Sequence, residues 1–364
     1  MNHFSVALVL CVLISSAPLH AAADSHGAKC RVRGETIPMR SINVGPDPFV
    51  FAVDALRHSV IVMNSSTHDK SPQELREIDL TQGAVAHVSD LGTKAWSGTP
   101  YGPAALSLGR HGRRAYVATA GQAVLTFDVI GWKPIRRYSV KPLLPIELAA
   151  VRKKGILLVG TEDVPRLGQP LSAVSIKSGE VVWRRSGKRY GPFRVSADGR
   201  RVYVLSSPED RWSSAYPALS VLDLQTGRSL GTVRLKASPE KLIAGHHRAY
   251  VAEQDDKGGF WLQSINLKAR KVEATVSLSA DDVFSLLMDD KTNEIVSLQS
   301  GPKDNLTLAV FSPGLKQRVY ATCSGVVPTS ALAAPAGSAG TAVYIADGPH
   351  GKISVVPMSA ITRK

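Results

Sequence analysis

Cysteine is scarce in this sequence: there are three in 364 residues, and no two form a Cys-x-x-Cys pair. That absence leaves c-type haem attachment, thioredoxin-like redox chemistry and a zinc knuckle without support. Cys11 lies in an apolar N-terminal segment, whereas Cys30 and Cys323 lie near opposite ends of the remaining chain. Two isolated cysteines in an exported protein favour one disulfide, worth about 3 to 5 kcal/mol in the chain-entropy model. Two thiols too far apart to bond are the alternative.

Long apolar runs are also missing after the first 23 residues, so the sequence predicts no membrane-spanning segment. Residues 4–14 are apolar, and the small residues Ala21, Ala22 and Ala23 form a site suited to signal peptidase. We therefore predict that residues 1–23 are a signal peptide and that residues 24–364 form a periplasmic or secreted protein.

Acidic residues are fewer than basic ones: 30 Asp and Glu stand against 44 Lys and Arg, which gives a net charge of +14 at pH 7. Such a surplus favours polyanions, although a basic surface can also serve solubility alone. The basic residues do not form one tail. They occur as dispersed pairs, namely Arg113-Arg114, Arg136-Arg137, Lys153-Lys154, Arg184-Arg185 and Arg200-Arg201.

Recognisable catalytic motifs are absent as well, including a Gly-x-Ser-x-Gly elbow, a phosphate-binding loop and a dinucleotide fingerprint. The adjacent His246 and His247 fall in a tight turn, where neighbouring side chains point apart, so the sequence predicts no metal site there. Aspartates that recur at strand ends, Asp79, Asp128 and Asp223, are expected to cap turns. The sequence therefore predicts no cofactor and no metal, and it identifies no catalytic residue.

What the sequence does contain is a repeated unit of four short strands. In residues 192–235 the unit reads as a proline, a strand, an Asp-Gly-Arg turn, a strand, a variable loop, a strand ending in Leu-Asp, a Thr-Gly turn and a strand. The glycines stand where tight hairpins need a positive φ. Units of this kind start near residues 48, 103, 145, 192, 239, 281 and 328.

A period of roughly 40 to 50 residues with four strands per unit is typical of a β-propeller. We therefore predict an all-β fold: a seven-bladed β-propeller of four-stranded antiparallel meanders, in a single domain over residues 24–364. The last unit lacks its fourth strand. Residues 34–44 have the length and pattern to supply it, so an N-terminal strand is expected to close the ring in the last blade.

Tyrosine-centred strands follow the glycine turns, as in Val202-Tyr203-Val204, Ala115-Tyr116-Val117 and Ala249-Tyr250-Val251, and Leu222-Asp223 with Thr226-Gly227 completes the unit. On these residues the repeat resembles that of the YVTN family of bacterial seven-bladed propellers. The resemblance covers nearly the whole chain after the signal peptide. It implies the architecture and says little about activity, because such propellers serve many functions.

Two kinds of connection share one face of a four-strand meander: those from second to third strand, and those from fourth strand to the next unit. Here they are long and polar, as in residues 206–217 and 253–260, and we call this side the long-loop face. Long loops on a rigid frame usually carry recognition, although they can be tolerated insertions. We expect a binding surface there that includes Arg211, Trp212, Tyr216, Asp255, Asp256 and Trp261. Tyr101 and Tyr190, at unit starts, belong to the same prediction or else pack between blades.

The leading hypothesis is a non-catalytic binding or interaction scaffold, monomeric, with a protein or small-molecule ligand. One alternative is a propeller enzyme of the lactonase or quinoprotein type, whose site residues in the central funnel would come from different blades. Another is a binder of nucleic acid or acidic polysaccharide, which would lose affinity steeply as salt is added.

Overall fold

A computed structural model provides the structure of the chain. It describes residues 28–362 apart from 46–47, 55, 65–71, 95–104, 110–111, 120–122, 141–144, 162–169, 187, 208–215, 290, 302–304 and 336–340. The strands form seven antiparallel sheets in a ring, so the predicted seven-bladed β-propeller is confirmed. The predicted signal peptide, residues 1–23, lies outside the described residues.

The strands follow one another in blade order. Three short strands come first: β1 (Lys29–Val32), β2 (Glu35–Ile37) and β3 (Arg40–Asn43). Blade 1 contains β4 (Pro48–Asp54), β5 (Ser59–Asn64), β6 (Pro72–Asp79) and β7 (Ala84–Lys94). Blade 2 contains β8 (Leu106–Leu108), β9 (Arg114–Thr119), β10 (Ala123–Asp128) and β11 (Lys133–Ser139). Blade 3 contains β12 (Pro145–Val151), β13 (Ile156–Thr161), β14 (Leu171–Ser175) and β15 (Val181–Arg185).

The remaining blades repeat this order. Blade 4 contains β16 (Arg189–Val195), β17 (Arg201–Ser207), β18 (Ala218–Asp223) and β19 (Ser229–Arg234). Blade 5 contains β20 (Ser238–Ala244), β21 (Arg248–Gln254), β22 (Phe260–Asn266) and β23 (Lys271–Leu278). Blade 6 contains β24 (Val283–Met288), β25 (Ile295–Ser300), β26 (Leu306–Phe311) and β27 (Gln317–Ser324). Blade 7 contains β28 (Pro328–Pro335), β29 (Thr341–Asp347) and β30 (Lys352–Pro357), and a short helix, α1 (Met358–Thr362), ends the fold.

Burial increases from the rim of the ring towards its middle layers. The second strand of blade 1, β5, is buried at every position, whereas the fourth strand of blade 2, β11, is exposed at all but one. The first strand of each blade contacts the first strands of both neighbours, and blade 7 contacts blade 1 in the same way. The first strands therefore line a central channel, and the fourth strands form the outer rim.

The hydrophobic core is divided among the seven interfaces between adjacent blades. Each buried cluster combines side chains of two neighbours; for example, Leu205 and Leu219 of blade 4 pack with Leu242 and Val251 of blade 5. The other six clusters join blades in the same pairwise manner around the ring. Burial of apolar side chains between sheets is thus what holds one blade to the next.

The recurring strand-end aspartates cap tight turns, as the sequence predicts. Asp223 Oδ1 accepts the backbone N–H groups of Gln225 and Thr226 at 3.1 and 2.8 Å. Asp79 Oδ1 accepts that of Thr81 at 2.6 Å. Gly227 follows with a φ of 66°, a left-handed conformation that glycine adopts without steric cost.

The N-terminal segment closes the ring. Strand β3 pairs with β30, with Ile42 opposite Ile353, and so supplies the fourth strand of blade 7. The closing strand is shorter than the stretch 34–44 in which we expected it. Strand β2, in the first part of that stretch, instead pairs with β1, which pairs with β27 and extends blade 6 to six strands. The segment thus ties the last two blades together.

The predicted disulfide joins Cys30 to Cys323 across the β1–β27 pair. The two residues lie directly opposite each other, their Cα atoms are 4.0 Å apart, and both are fully buried. The bond links positions 293 residues apart in the sequence. Met358 and Ile361 of α1 pack into the same core cluster as both cysteines. No helix in the described part of the chain is long and apolar enough to cross a membrane.

Replacing both cysteines by alanine is expected to lower the free energy of unfolding by about 3 to 5 kcal/mol, because the unfolded chain regains the freedom of a very long loop. Urea denaturation of the Cys30→Ala/Cys323→Ala chain at fixed pH measures this loss. Reductant should lower the midpoint of the wild type and leave that of the double variant unchanged. Equal midpoints for the oxidised wild type and the variant would contradict the prediction.

Candidate functional site

The two faces of the ring differ in the length of their connections. On the long-loop face the strands are joined by segments as long as residues 95–105 and 208–217. The opposite side, which we call the short-turn face, has connections such as residues 129–132 and 245–247. Arg211, Trp212 and Tyr101 fall on the long-loop connections and lie outside the described residues.

Among the predicted binding residues that the structure describes, Tyr190 alone is buried. Its side chain is only 5% exposed and packs with Ile156 and Leu158 of blade 3 and Phe193 of blade 4. This is the packing between blades that the sequence left open as the alternative for this tyrosine. Its ring is therefore not presented on the surface.

Tyr216 and Trp261 lie on neighbouring blades of the long-loop face, and each ring stacks under a cation. The Arg234 guanidinium carbon is 4.8 Å from the ring centroid of Tyr216, and Lys236 Nζ is 3.7 Å from that of Trp261. Both cations lie at the end of blade 4, where the chain crosses to blade 5. Cation–π contacts of this kind hold the long basic side chains in place. We call Tyr216, Arg234, Lys236, Trp261 and Asp255 the aromatic–cation cluster.

Asp255 completes this cluster from the turn that follows β21. Trp261 Nε1 donates to Asp255 Oδ2 at 3.2 Å, and the Gly259 amide donates to Asp255 Oδ1 at 2.8 Å. The hydrogen bond from Trp261 and those from the turn amides hold the pKa of Asp255 below its usual value. Asp256 is exposed beside it. The cluster therefore presents two aromatic rings, two cations and an ionised carboxylate.

A buried glutamate, Glu253, holds the backbone segment that carries Lys236 of the cluster. Glu253 is fully buried, and its Oε2 accepts the backbone amides of Lys236 and Ala237 at 2.9 and 2.7 Å. Burial raises the pKa of Glu253 to about 6, against the opposing effect of these two hydrogen bonds. The glutamate thereby fixes the segment from which Lys236 reaches Trp261.

A second feature is a cavity of about 1090 Å³ that opens on the short-turn face. Its walls are the first strands of blades 3 and 4, with Ser107 of blade 2, and Ser107 Oγ accepts the Ala150 amide at 3.1 Å. Half-buried apolar side chains line the strands, namely Ala149, Ala150, Val151 and Val195. The cavity is thus part of the central channel.

Glu147 lies at the end of the cavity that is farther from the short turns, and it bridges two blades. Its Oε1 accepts from Arg194 Nη1 at 2.8 Å and its Oε2 accepts the Phe193 amide at 3.0 Å. Burial raises the pKa of Glu147, and the Arg194 guanidinium opposes that rise. The pair makes this end of the channel polar and close to neutral.

The mouth of the cavity is basic. Arg152, Lys153, Lys154 and Arg200 line it, are exposed, and form no ion pair with a described residue. The only carboxylate among the lining residues of the mouth, Asp198, is engaged in its own turn, where Ser196 Oγ donates to it at 2.5 Å. This hydrogen bond from Ser196 lowers the pKa of Asp198 more than any other contact does.

Two further groups of polar side chains bear on chemistry. His350 Nδ1 lies 2.8 Å from Oδ1 of the buried Asp347, a pairing that the sequence analysis did not identify. His246 and His247 are exposed in their turn, with ring centroids 6.3 Å apart. Among the described residues, no group of three or more His, Cys, Asp or Glu side chains is placed to hold a metal ion.

Comparison with known proteins identifies the fold. No protein-family model matches the chain, and no curated protein matches it. Among solved structures, Kuenenia stuttgartiensis hydrazine synthase aligns with a TM-score of 0.68 at 14% identity, over 88% of this chain and 97% of that one. The β-propeller domain of Myceliophteria thermophila Cps50 (Swd1) aligns at 0.66 and 11%, over 88% and 100%. A chain of the mitotic checkpoint complex aligns at 0.67 and 14%, over 97% and 99%. These similarities show a β-propeller and leave the YVTN resemblance a prediction.

Sequence reasoning missed several residues of these two surfaces, among them Arg234, Lys236, Glu253 and Glu147. Arg234 and Lys236 precede a blade start, where a basic residue gives no signal of its own. Glu253 does carry a signal, because it is a charged residue that directly follows the apolar run 249–252 of a second strand. Charged residues are almost never fully buried without a partner.

Replacing Glu253 by glutamine is expected to remove one component of the pH dependence of stability. Because the pKa of Glu253 is about 6 in the folded protein and near its usual value of 4.5 in the unfolded chain, folding retains a proton between these values. The contribution of this glutamate to the unfolding free energy should therefore fall by about 1.5 kcal/mol as pH rises from 4.5 to 6.5. Glutamine keeps an acceptor for the two amides and cannot titrate.

The measurement is urea unfolding of the wild type and Glu253→Gln across that pH range. Glu273→Gln is the control, since hydrogen bonds from Asn266 and Arg248 hold the pKa of Glu273 below its usual value, which gives a pH dependence of the opposite sign. The stability difference between wild type and Glu253→Gln should fall as pH rises, whereas that between wild type and Glu273→Gln should not fall. Parallel curves for all three proteins would refute the prediction.

Proposed function

We propose that the protein is an exported β-propeller that acts as a non-catalytic binding scaffold and recognises its partner through the long-loop face. The observation that carries this proposal is the aromatic–cation cluster, which joins blades 4 and 5 on that face. Tyr216 is 44% exposed, and Trp261 is half-buried under Lys236.

The chemistry of the cluster suits recognition. Trp, Tyr and Arg are enriched among the residues that dominate the binding energy of protein interfaces, and Trp and Tyr bury large areas at low conformational cost. Here the aromatic rings are fixed at strand starts, and Glu253 fixes the segment that carries Lys236. Arg211 and Trp212 precede Tyr216 in the same connection, so we include them in the proposed surface, together with Asp256 and, from blade 2, Tyr101.

Export is part of the proposal. The buried disulfide is compatible with an extracellular or periplasmic location, because such bonds persist where thiols are not kept reduced. The apolar segment before Ala23 supplies the proposed signal peptide. The resemblance to the YVTN family agrees with a secreted or periplasmic propeller. We propose a monomer with a protein or small-molecule ligand.

The test is affinity capture of the full chain, exported with its own N-terminus, from the compartment that receives it, followed by cross-linking and mass spectrometry. Tyr216→Ala and Trp261→Ala should each reduce recovery of the partner by roughly tenfold or more, the size of a hot-spot loss. Tyr320→Ala is the matched control, because Tyr320 is 58% exposed on strand β27 of blade 6, away from the cluster.

The same preparation should be examined by native mass spectrometry, which detects a bound small molecule directly. A partner or ligand that Tyr320→Ala retains and the two cluster variants lose supports the proposal. Retention by all three variants, or equal loss from all three, would place recognition elsewhere.

A further inference from the structure

We propose that the cavity on the short-turn face is a second binding site, which takes a small organic anion. The apolar body of this ligand lies along the channel, and its phosphate or carboxylate group lies among Arg152, Lys153, Lys154 and Arg200. The site lies on the face opposite the aromatic–cation cluster, so this proposal does not depend on the function proposed above.

The size of the cavity fits a small molecule. Its volume of about 1090 Å³ is at the upper end of the range of roughly 300 to 1,000 Å³ that is usual for ligand pockets. The blade-3 and blade-4 strands that line it present short side chains, Ala149, Ala150 and Val195, which leave the channel open. Such a wall offers an apolar group contacts with these side chains, and it offers polar groups the backbone at the free inner edges of the two first strands.

The charge at the mouth comes from two turns that touch. A side-chain carbon at Gly199 would lie 3.3 Å from Val151 Cγ1, so the turn at residues 196–200 abuts the turn at residues 152–155. Four cationic side chains from these turns surround one opening without an ion pair to any described residue. Concentrated positive charge at the rim of a low-dielectric cleft attracts and orients an anion.

The carboxylates of the cavity cancel only part of this charge. Glu147 is paired with Arg194 at the far end, and Asp198, which accepts hydrogen bonds from Ser196 and the Arg200 amide, offsets one of the four cations at the mouth. Counting all lining residues, there are five cations and two carboxylates. An incoming anion therefore meets a net positive mouth and a partly apolar wall.

The overall charge of +14 would predict a different behaviour, namely attraction of any polyanion over the whole surface. The structure argues for a local site, because the other basic pairs do not line the cavity. Arg184 and Arg185 are on the outer strand β15, Arg136 and Arg137 are on the outer strand β11, and Arg113 and Arg114 are at the start of β9. The cations at the mouth are thus distinct in position.

The experiment is calorimetric titration of the full chain with three probes of one shape: 1-naphthyl phosphate, 1-naphthoate and the neutral 1-naphthol. At least one of the two anions should bind, and more tightly than the alcohol by roughly tenfold, which is the effect of about 1.4 kcal/mol of charge-assisted contact. Which of them binds identifies the acidic group. Added salt should weaken binding of the anion and leave binding of the alcohol unchanged.

Matched variants assign the site. Lys153→Gln/Lys154→Gln should weaken anion binding by roughly tenfold, whereas Arg184→Gln/Arg185→Gln, with the same change in net charge, should weaken it less than about threefold. All four side chains lie at or near the surface, and thermal unfolding of each variant checks that it folds. Equal loss in both variants, equal affinity for the alcohol and the anions, or no binding at millimolar probe would overturn the proposal.

Discussion

Each blade of this propeller is a sheet that must cover both of its faces, and only the two neighbouring blades can cover them. The seven core clusters lie between blades, so an open arc of blades would leave two apolar faces in water. Closure of the ring is therefore the constraint on which the rest depends. Strand β3 closes the ring by completing blade 7, and the Cys30–Cys323 bond anchors strand β1 to blade 6.

The fold was largely predictable because its determinants are local and repeated. Turn glycines such as Gly199 and Gly227, capping aspartates such as Asp223, and apolar runs of strand length recur with one period. The β1–β2 extension of blade 6 was not predictable in the same way. Its strands are short and polar, and whether they pair with β27 is decided by the edge that blade 6 offers.

The surfaces were harder to predict, because they depend on which residues the ring brings together. Lys153-Lys154 and Arg200-Arg201 were visible as separate pairs, yet Lys153, Lys154 and Arg200 lie around one opening only because they occupy the same turn in adjacent blades. Arg234 and Lys236 gave no sequence signal, since their role comes from rings that approach from neighbouring strands. In a propeller, residues about one repeat apart are spatial neighbours, and comparing equivalent positions recovers part of this information.

The same comparison explains how a uniform frame supports a varied face. At or next to the end of each second strand, on the side of the long loops, stands a buried polar residue: Asn64, Thr119, Thr161, Ser206, Glu253, Gln299 and Asp347. Several of them bind the backbone of an adjacent connection, as when Asn64 accepts the Glu74 amide, Thr161 donates to the Pro170 carbonyl and Glu253 accepts the Lys236 amide. Because a buried polar group needs a partner, each residue that makes such a bond fixes a point of an adjacent connection. The identity of this one residue can therefore change from blade to blade, and the loop with it, while the core of the ring stays the same.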